Sequence, residues 1–315
     1  MAVFTTVEKA DAEPFMRSLG LGALHELAPI AEGVENTNYR AETDGGRFVL
    51  TLFERRTDEA GLPFCLGLTA HAAERGLPCA RPLADGDGEV LSRINGRPAA
   101  VLEWLPGAWK REPTHRDVHA AGAMLARLHL AGQDFPIQRA DPVGRAARKA
   151  LFDRCLTRAE GQHRAMLDQI APWVDEASPD PAAGLPSGPI HADWFPDNIL
   201  FEDGDVSGVI DFYLGCTGAY AYDLAVGLSA WGFDSSGTVL PGAAAAFRDG
   251  YESLRPLSPA ERAALPQLGA VAVVRFTLTR LNDLLFHDPA NLVTPKDPNA
   301  FFRRLDWWTE AALAA

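Results

Sequence analysis

The chain reads as an α+β protein of two lobes, a small antiparallel β-sheet lobe followed by a larger, mostly helical one. Three observations predict this. In the first third of the chain, extended apolar runs lie between hairpin turn signals. Beyond it, apolar residues recur at helical spacing, and the breaker pair Pro106-Gly107 stands where the character changes. The expected units are residues 1–105 and 106–315, with the cleft between them as the default ligand site.

The elements follow in order. Glu26–Gly33 and Thr37–Thr43 are extended candidates, and Asp44-Gly45-Gly46 turns the chain into Arg47–Glu54. There Phe48, Leu50 and Leu52 alternate with Val49, Thr51 and Phe53, so both faces are apolar and the strand is central in its sheet. Asp58–Arg75 reads as a helix, stopped by Gly76 and Pro78. Asn95-Gly96 closes a second hairpin between Glu89–Ile94 and Pro98–Leu105, giving about five strands and one inserted helix. After the boundary, Thr114–Asp117 resembles a capping box opening a helix through Val118, Leu125 and Leu128. Gly144 to Glu176 reads as one helical stretch, and Ser178–Pro189 as a loop. Pro189–Asp211 holds two short extended runs around Glu202–Asp205, and helices return at Tyr222–Trp231, Ala243–Leu254, Pro259–His287 and Asn299–Leu313.

Among 315 residues, 29 Lys and Arg stand against 42 Asp and Glu, a net charge of −13. So acidic a surface argues against a nucleic-acid binder or an anionic-membrane binder. It leaves room for a small anionic ligand in a local positive pocket. Cys65, Cys79, Cys155 and Cys216 are scattered without a CxxC pair, which suits free buried thiols in a reducing compartment. Met1–Pro14 lacks the pattern of a signal peptide, and charges interrupt the longest apolar stretches, so a cytoplasmic location is expected. Nothing in the pattern fixes an oligomeric state.

The most informative segment is His191-Ala-Asp-Trp-Phe-Pro-Asp-Asn198, followed by a short apolar hairpin and Ile210-Asp211-Phe212. Phosphoryl transfer needs a carboxylate near the acceptor hydroxyl, oxygen ligands for Mg²⁺ and a cradle for the triphosphate. Asp193 and Asn198 on one turn supply a base and a metal ligand, and the hairpin returns Asp211 as a second metal ligand. Each piece alone is weak; the combination is specific.

These strings resemble the catalytic and metal loops of the aminoglycoside phosphotransferase-like kinases, distant relatives of protein kinases. Gly33-Val-Glu-Asn-Thr-Asn-Tyr39, Phe48-Val-Leu-Thr-Leu-Phe-Glu54, Asp211-Phe-Tyr-Leu-Gly-Cys-Thr and Ala221-Tyr-Asp-Leu-Ala225 resemble the homoserine kinases of that superfamily, over about residues 24–308. The resemblance implies a protein-kinase-like fold, ATP and Mg²⁺ as cofactors, and L-homoserine as the small-molecule acceptor. It implies Asp193 as the catalytic aspartate, His191 as a residue that fixes the loop, and Asn198 and Asp211 as magnesium ligands. Gly33, Val34, Asn36 and Asn38 fall where these kinases close a loop over the triphosphate. Glu103 and Leu105, at the lobe junction, are expected to offer backbone groups to the base. Relatives acting on choline, an aminoglycoside, hydroxylysine or methylthioribose are the nearest alternatives, and a non-catalytic ATP-binding module is a further one.

One departure stands out. Where the third strand of such kinases carries a lysine, this chain has Thr51; its four lysines, Lys9, Lys110, Lys149 and Lys296, fall elsewhere. Phosphate charge is then left to Mg²⁺, to backbone N–H groups, or to an arginine such as Arg40 or Arg47. For the acceptor, Arg275 is a candidate carboxylate ligand because it interrupts an apolar run. Arg280 shares its helix, with an Arg280–Asp283 ion pair as the plain alternative. Asp223 can meet the ammonium or brace the catalytic loop. His129, Tyr220, Tyr222, Trp231, Trp307 and Trp308 read as packing.

Overall fold

The computed structural model describes residues 4–30, 36–54, 58–174, 184–287 and 294–314. Two lobes are evident in its layers. The first is a five-stranded antiparallel sheet of order β1-β2-β3-β5-β4, built from β1 (Leu24–Pro29), β2 (Thr37–Thr43), β3 (Gly46–Leu52), β4 (Ser92–Ile94) and β5 (Arg97–Glu103). β2 alternates buried and half-buried residues along its whole length, the period-2 signature of a strand with one face on a core. β3 lies between β2 and β5, as its two apolar faces predict. The Asn95-Gly96 turn takes positive φ at both residues, the backbone that a tight hairpin requires.

The helix α1 (Lys9–Ser18) precedes the sheet and packs Phe15 and Met16 into its core; sequence reading missed it. The inserted helix α2 (Leu62–Glu74) has two allegiances. Leu62 and Leu66 join Phe53 and Ala100 under the sheet, whereas Phe64, Cys65, Leu68 and Ala72 belong to the main helical core.

That core gathers α3 (His115–Ala131), α4 (Arg145–Leu156), α5 (Gly161–Val174), α6 (Tyr220–Trp231), α7 (Ala243–Glu252), α8 (Pro259–Leu285), α9 (Pro298–Phe302) and α10 (Arg304–Ala314). The Thr114–Asp117 capping box is present, with Thr114 N–H donating to the Asp117 carboxylate at 2.9 Å. The stretch expected as one helix from Gly144 is two, because the chain breaks before Gly161, which has φ +51°. α3 and α7 approach closely through paired glycines. A Cβ on Gly122 would lie 2.0 Å from the Phe247 carbonyl oxygen, and one on Gly250 2.0 Å from that of His119.

Two small ribbons complete the fold. β6 (Ser187–Ile190) pairs with β9 (Cys216–Ala219), and β7 (Ile199–Glu202) with β8 (Asp205–Val209). The β7–β8 hairpin docks beneath the lobe junction. Ala108 and Phe201 exchange backbone hydrogen bonds of 3.1 and 2.9 Å, and Val209 N–H donates to Pro78 at 2.8 Å. Among the described residues no helix is long and apolar enough to cross a membrane. The four cysteines are buried free thiols.

Candidate active site

β6 ends at Ile190 and delivers His191, Ala192 and Asp193 to the mouth of the cleft. Ala192 is fully buried with φ +62°, a left-handed backbone that residues with a Cβ rarely adopt and that costs about 1–3 kcal/mol. Interactions on both sides of the peptide hold it there. The Asp223 carboxylate accepts from His191 N–H and Ala192 N–H, both at 2.8 Å, and Arg275 Nη1 donates to the Ala192 carbonyl at 2.9 Å.

Asp223 also accepts from His129 Nε2 at 3.0 Å, while His129 Nδ1 lies 2.7 Å from the Tyr251 hydroxyl. Burial alone raises a carboxyl pKa, but the His129 bond, the two imidazoles and the backbone donors outweigh it, and Asp223 is held below the usual carboxylate range. Burial pushes His129 and His191 below the usual imidazole value. His129 thus bridges the Asp223 carboxylate and the Tyr251 hydroxyl.

His191 is a splint. Its Nδ1 accepts from Asp193 N–H at 3.2 Å and its Nε2 donates to the Ile210 carbonyl at 3.0 Å, joining the Asp193 loop to the Asp211 loop. Two tryptophans close the back, with Trp194 Nε1 donating to Ala121 at 3.2 Å and Trp231 Nε1 to Trp194 at 3.0 Å.

Asp193 is half-buried. Asn198 Nδ2 donates to its carbonyl at 2.8 Å and to its carboxylate at 3.1 Å. Burial pushes the Asp193 pKa up to about 6 against the opposing charge of Arg275, and Asp197 adds to the rise. With its amide nitrogen spent on Asp193, Asn198 has its side-chain oxygen left, which could hold a metal. Asp211 follows β8 with φ +64°, a second left-handed residue in the site. An amide oxygen and a carboxylate form the hard donor set that Mg²⁺ takes together with phosphate and water, so the residues fit that ion. Among the described residues no cluster of three His, Cys, Asp or Glu forms an all-protein metal cage.

The acceptor role expected of Arg275 needs correction, and of the two roles open to Asp223 the bracing one is observed. Arg275 is 1% exposed and commits Nη1 to the Ala192 carbonyl of the Asp193 loop. Burial disfavours its charge, but the neighbouring Tyr222, Asp141 and Asp193 outweigh this and raise its pKa. Asp223 is fully buried and spends both carboxylate oxygens on the loop and His129. Both brace; neither is open to a ligand.

On the sheet side, Gly33 and Val34 lie outside the described residues. Asn36 and Asn38 are present at the start of β2. The Asn36 side-chain oxygen accepts from Glu54 N–H at 3.3 Å, and Asn38 Oδ1 accepts from the Thr51 hydroxyl at 2.7 Å. Both asparagines therefore tie β2 to β3 instead of leaving their oxygens to the cleft. Tyr213 of the Asp211 loop lies nearby, its ring edge-on to Phe53 at 5.0 Å. The position of the lysine is thus filled by a neutral pair, Thr51 bonded to Asn38. Arg40 pairs with Glu26 at 3.0 Å, and Arg47 with Glu42 at 2.6 Å, so neither is an unpaired cation. Arg139, which sequence reading did not single out, donates to the carbonyls of Tyr213 and Gly215 at 2.8 Å each and to Cys65 Sγ at 3.0 Å, fixing the metal loop to α2. At the junction, the Glu103 side chain pairs with Arg81 at 2.7 Å and Leu105 packs toward β8 beside Gly208.

A five-stranded sheet over a helical lobe, with an Asp–Asn turn splinted to an Asp-bearing hairpin between them, defines a protein-kinase-like phosphotransferase. Residues 26–257 match the model of the phosphotransferase enzyme family. The chain is similar in fold to an amicoumacin kinase solved with AMP-PNP and Ca²⁺, with a TM-score of 0.68 at 16% identity over 94% of this chain and 93% of that one. It is 45% identical to the homoserine kinase of Xanthobacter autotrophicus, covering 97% of this chain and 95% of the relative. The homoserine kinase of Gluconacetobacter diazotrophicus is also 45% identical, covering 97% and 96%. The chain belongs to the homoserine kinase family within the phosphotransferase enzymes.

Proposed function

We infer that the chain transfers the γ-phosphoryl group of ATP to the side-chain hydroxyl of L-homoserine, giving O-phospho-L-homoserine and ADP, the entry to threonine. The observation that carries this is the braced Asp193 turn, in a chain whose relatives over nearly full length are homoserine kinases. The acceptor oxygen forms the new P–O bond, the bond to the β-phosphate oxygen breaks, and the hydroxyl proton passes to the Asp193 carboxylate. A pKa raised to about 6 leaves Asp193 ionised at neutral pH yet more basic than an exposed aspartate, which suits a proton acceptor. Most of the catalytic work is positioning, because a loose phosphoryl-transfer transition state needs little covalent help from the protein.

Asn198 and Asp211 would hold Mg²⁺, which when bound supplies charge neutralisation on the phosphates. Asn38, with its oxygen committed to Thr51, has its NH₂ group left as a donor toward phosphate. Asn36 anchors the same loop, and the segment holding Gly33 and Val34 is assigned the phosphate cradle by its position between β1 and β2. Glu103 and Leu105 are assigned the nucleotide base through their backbone groups. On this reading residues 1–105 form the nucleotide lobe and residues 106–315 the catalytic and acceptor lobe. The acidic surface and the buried thiols support a cytoplasmic enzyme of small molecules that binds neither nucleic acid nor membrane.

The test is ADP release with Mg-ATP against L-homoserine, D-homoserine, choline, methylthioribose and kanamycin, with Asp193→Asn as the blank. Turnover confined to L-homoserine and lost in the variant is the expected result. Turnover on another acceptor overturns the substrate and keeps the mechanism.

A further inference from the structure

With Arg275 committed to the catalytic loop, the carboxylate of the acceptor needs another cation. α8 carries one five residues further on. The half-buried Arg280 guanidinium lies 4.7 Å from the centre of the Phe301 ring. Phe301 packs at a tilt against Phe276 at 4.9 Å and against Phe195 of the Asp193 loop at 5.8 Å, so this aromatic layer runs from Asp193's own loop to Arg280. Among the described residues no carboxylate lies within ion-pair distance of Arg280, and the Arg280–Asp283 pair that their spacing allows does not form. Asp193, Asp197 and Asp297 act on it only from farther away.

The same ring carries a second cation. The Arg304 guanidinium lies 4.1 Å from the Phe301 centre, is 4% exposed, and donates through Nη2 to the Asp234 carbonyl at 3.2 Å. Its Nε and Nη1 are buried without any hydrogen-bond partner. Burial and the charge of Arg280 push its pKa down to about 9. Two guanidinium groups against one ring, without a carboxylate between them, is costly in a chain with 42 acidic residues to choose from. The arrangement makes sense if an anion arrives from outside. Nearby Asp197 does not compete for the pair, because Lys296 lies 3.5 Å from it.

We propose that Arg280, backed by Arg304, binds the α-carboxylate of the acceptor and so selects an amino acid over an amino alcohol. The proposal rests on the homoserine reading. A four-carbon amino acid has its hydroxyl and carboxylate only a few ångströms apart, so the anion site must adjoin Asp193, as this one does through Phe195. Guanidinium suits the task because its planar fork meets both carboxylate oxygens while its face rests on an aromatic ring.

The experiment compares wild type, Arg280→Met and Arg280→Lys on L-homoserine and on 3-aminopropan-1-ol, which keeps the amine and hydroxyl but lacks the carboxylate. Methionine retains packing on Phe301 and removes the charge. The expected result is a KM for homoserine raised about 100-fold in Arg280→Met, as for loss of a charged hydrogen-bonded pair. Arg280→Lys restores part of it, the KM for ATP is unchanged, and the weak kcat/KM for 3-aminopropan-1-ol is the same in all three proteins. Arg280→Met also melts no lower than wild type, since it relieves the Arg304 repulsion. An unchanged homoserine KM, or an equal loss on both acceptors, overturns the proposal. A wild type inactive on L-homoserine overturns the substrate reading itself, which separates the two failures.

Discussion

The two sides of the cleft are held in different ways. On the helical side, the Asp193 loop is pinned by fully buried groups, two of them charged: Asp223 beneath its N–H groups and Arg275 on the Ala192 carbonyl, with His191 reaching across to Ile210. On the sheet side, the groups in the corresponding place are neutral: Thr51 donates to Asn38, and Phe53 packs against Tyr213 of the Asp211 loop. α2 offers no mid-helix carboxylate either; its sequence runs LPFCLGLTAHAAE, with Glu74 at its very end. The usual kinase lysine–glutamate ion pair thus lacks both members at once. Charge is concentrated around the Asp193 loop, and the sheet side is organised by hydrogen bonds of ordinary strength. The contrast implies that the two sides differ sharply in their sensitivity to substitution.

The largest effect belongs to Asp193→Asn. It keeps the Asn198 contact possible but removes the proton acceptor, so kcat falls about 10²–10⁴-fold with ATP affinity changed little. Single-turnover kinetics beside equilibrium nucleotide binding checks this. Next comes Asp223→Asn. An amide cannot accept at both oxygens, so one of the three donors from His129, His191 and Ala192 is left buried and unsatisfied. The expected cost is about 3–5 kcal/mol of stability together with a fall in kcat, read by denaturant unfolding and assay of the same preparation.

A smaller effect comes from pH. With Asp193 titrating at about 6 in the free protein, kcat/KM drops as pH falls through that value, about tenfold per unit below it. The stability effect has the opposite direction. The folded pKa lies above the unfolded one, so the native chain binds more protons between 3.8 and about 6 and loses stability as pH rises through that window. Asparagine escapes this loss, so Asp193→Asn melts higher than wild type near pH 8, and the gap closes near pH 4. The smallest effect belongs to Thr51→Val. Loss of one neutral hydrogen bond is worth about 1 kcal/mol, expected as a several-fold rise in the KM for ATP with the homoserine KM unchanged. A Thr51→Val enzyme as damaged as Asp223→Asn would erase the contrast between the two sides.

What could be read in the sequence follows from how local each feature is. The Asp193–Asn198 turn and the Asp211 hairpin are contiguous strings, and the central β3 declares itself by its two apolar faces. Arg275 was legible as a buried cation, because it interrupts an apolar run. Whether it met a ligand or a loop depended on a carbonyl 83 residues away, which no local pattern encodes. Asp223 was open between two roles for the same reason. α1 escaped because Glu8 caps it instead of Ser or Thr, and Pro14 lies inside it. β6 and β9 are four residues each, too short for an alternation to stand out. Arg304 carried no signal at all, since its significance lies in the partner it lacks.

The splint from His191 has a consequence for how this enzyme can drift over generations. Its acceptor is the backbone oxygen of Ile210, just as Arg275 grips that of Ala192 and Arg139 those of Tyr213 and Gly215. A carbonyl is supplied by every residue type. Natural variation can therefore rewrite position 210 among residues of suitable bulk without unfastening the two loops, whereas the grasping side chains have no such freedom. Saturation mutagenesis scored for growth should find tolerance at Ile210 and near-silence at His191, a map of inheritance drawn by which end of each hydrogen bond the genome has to spell.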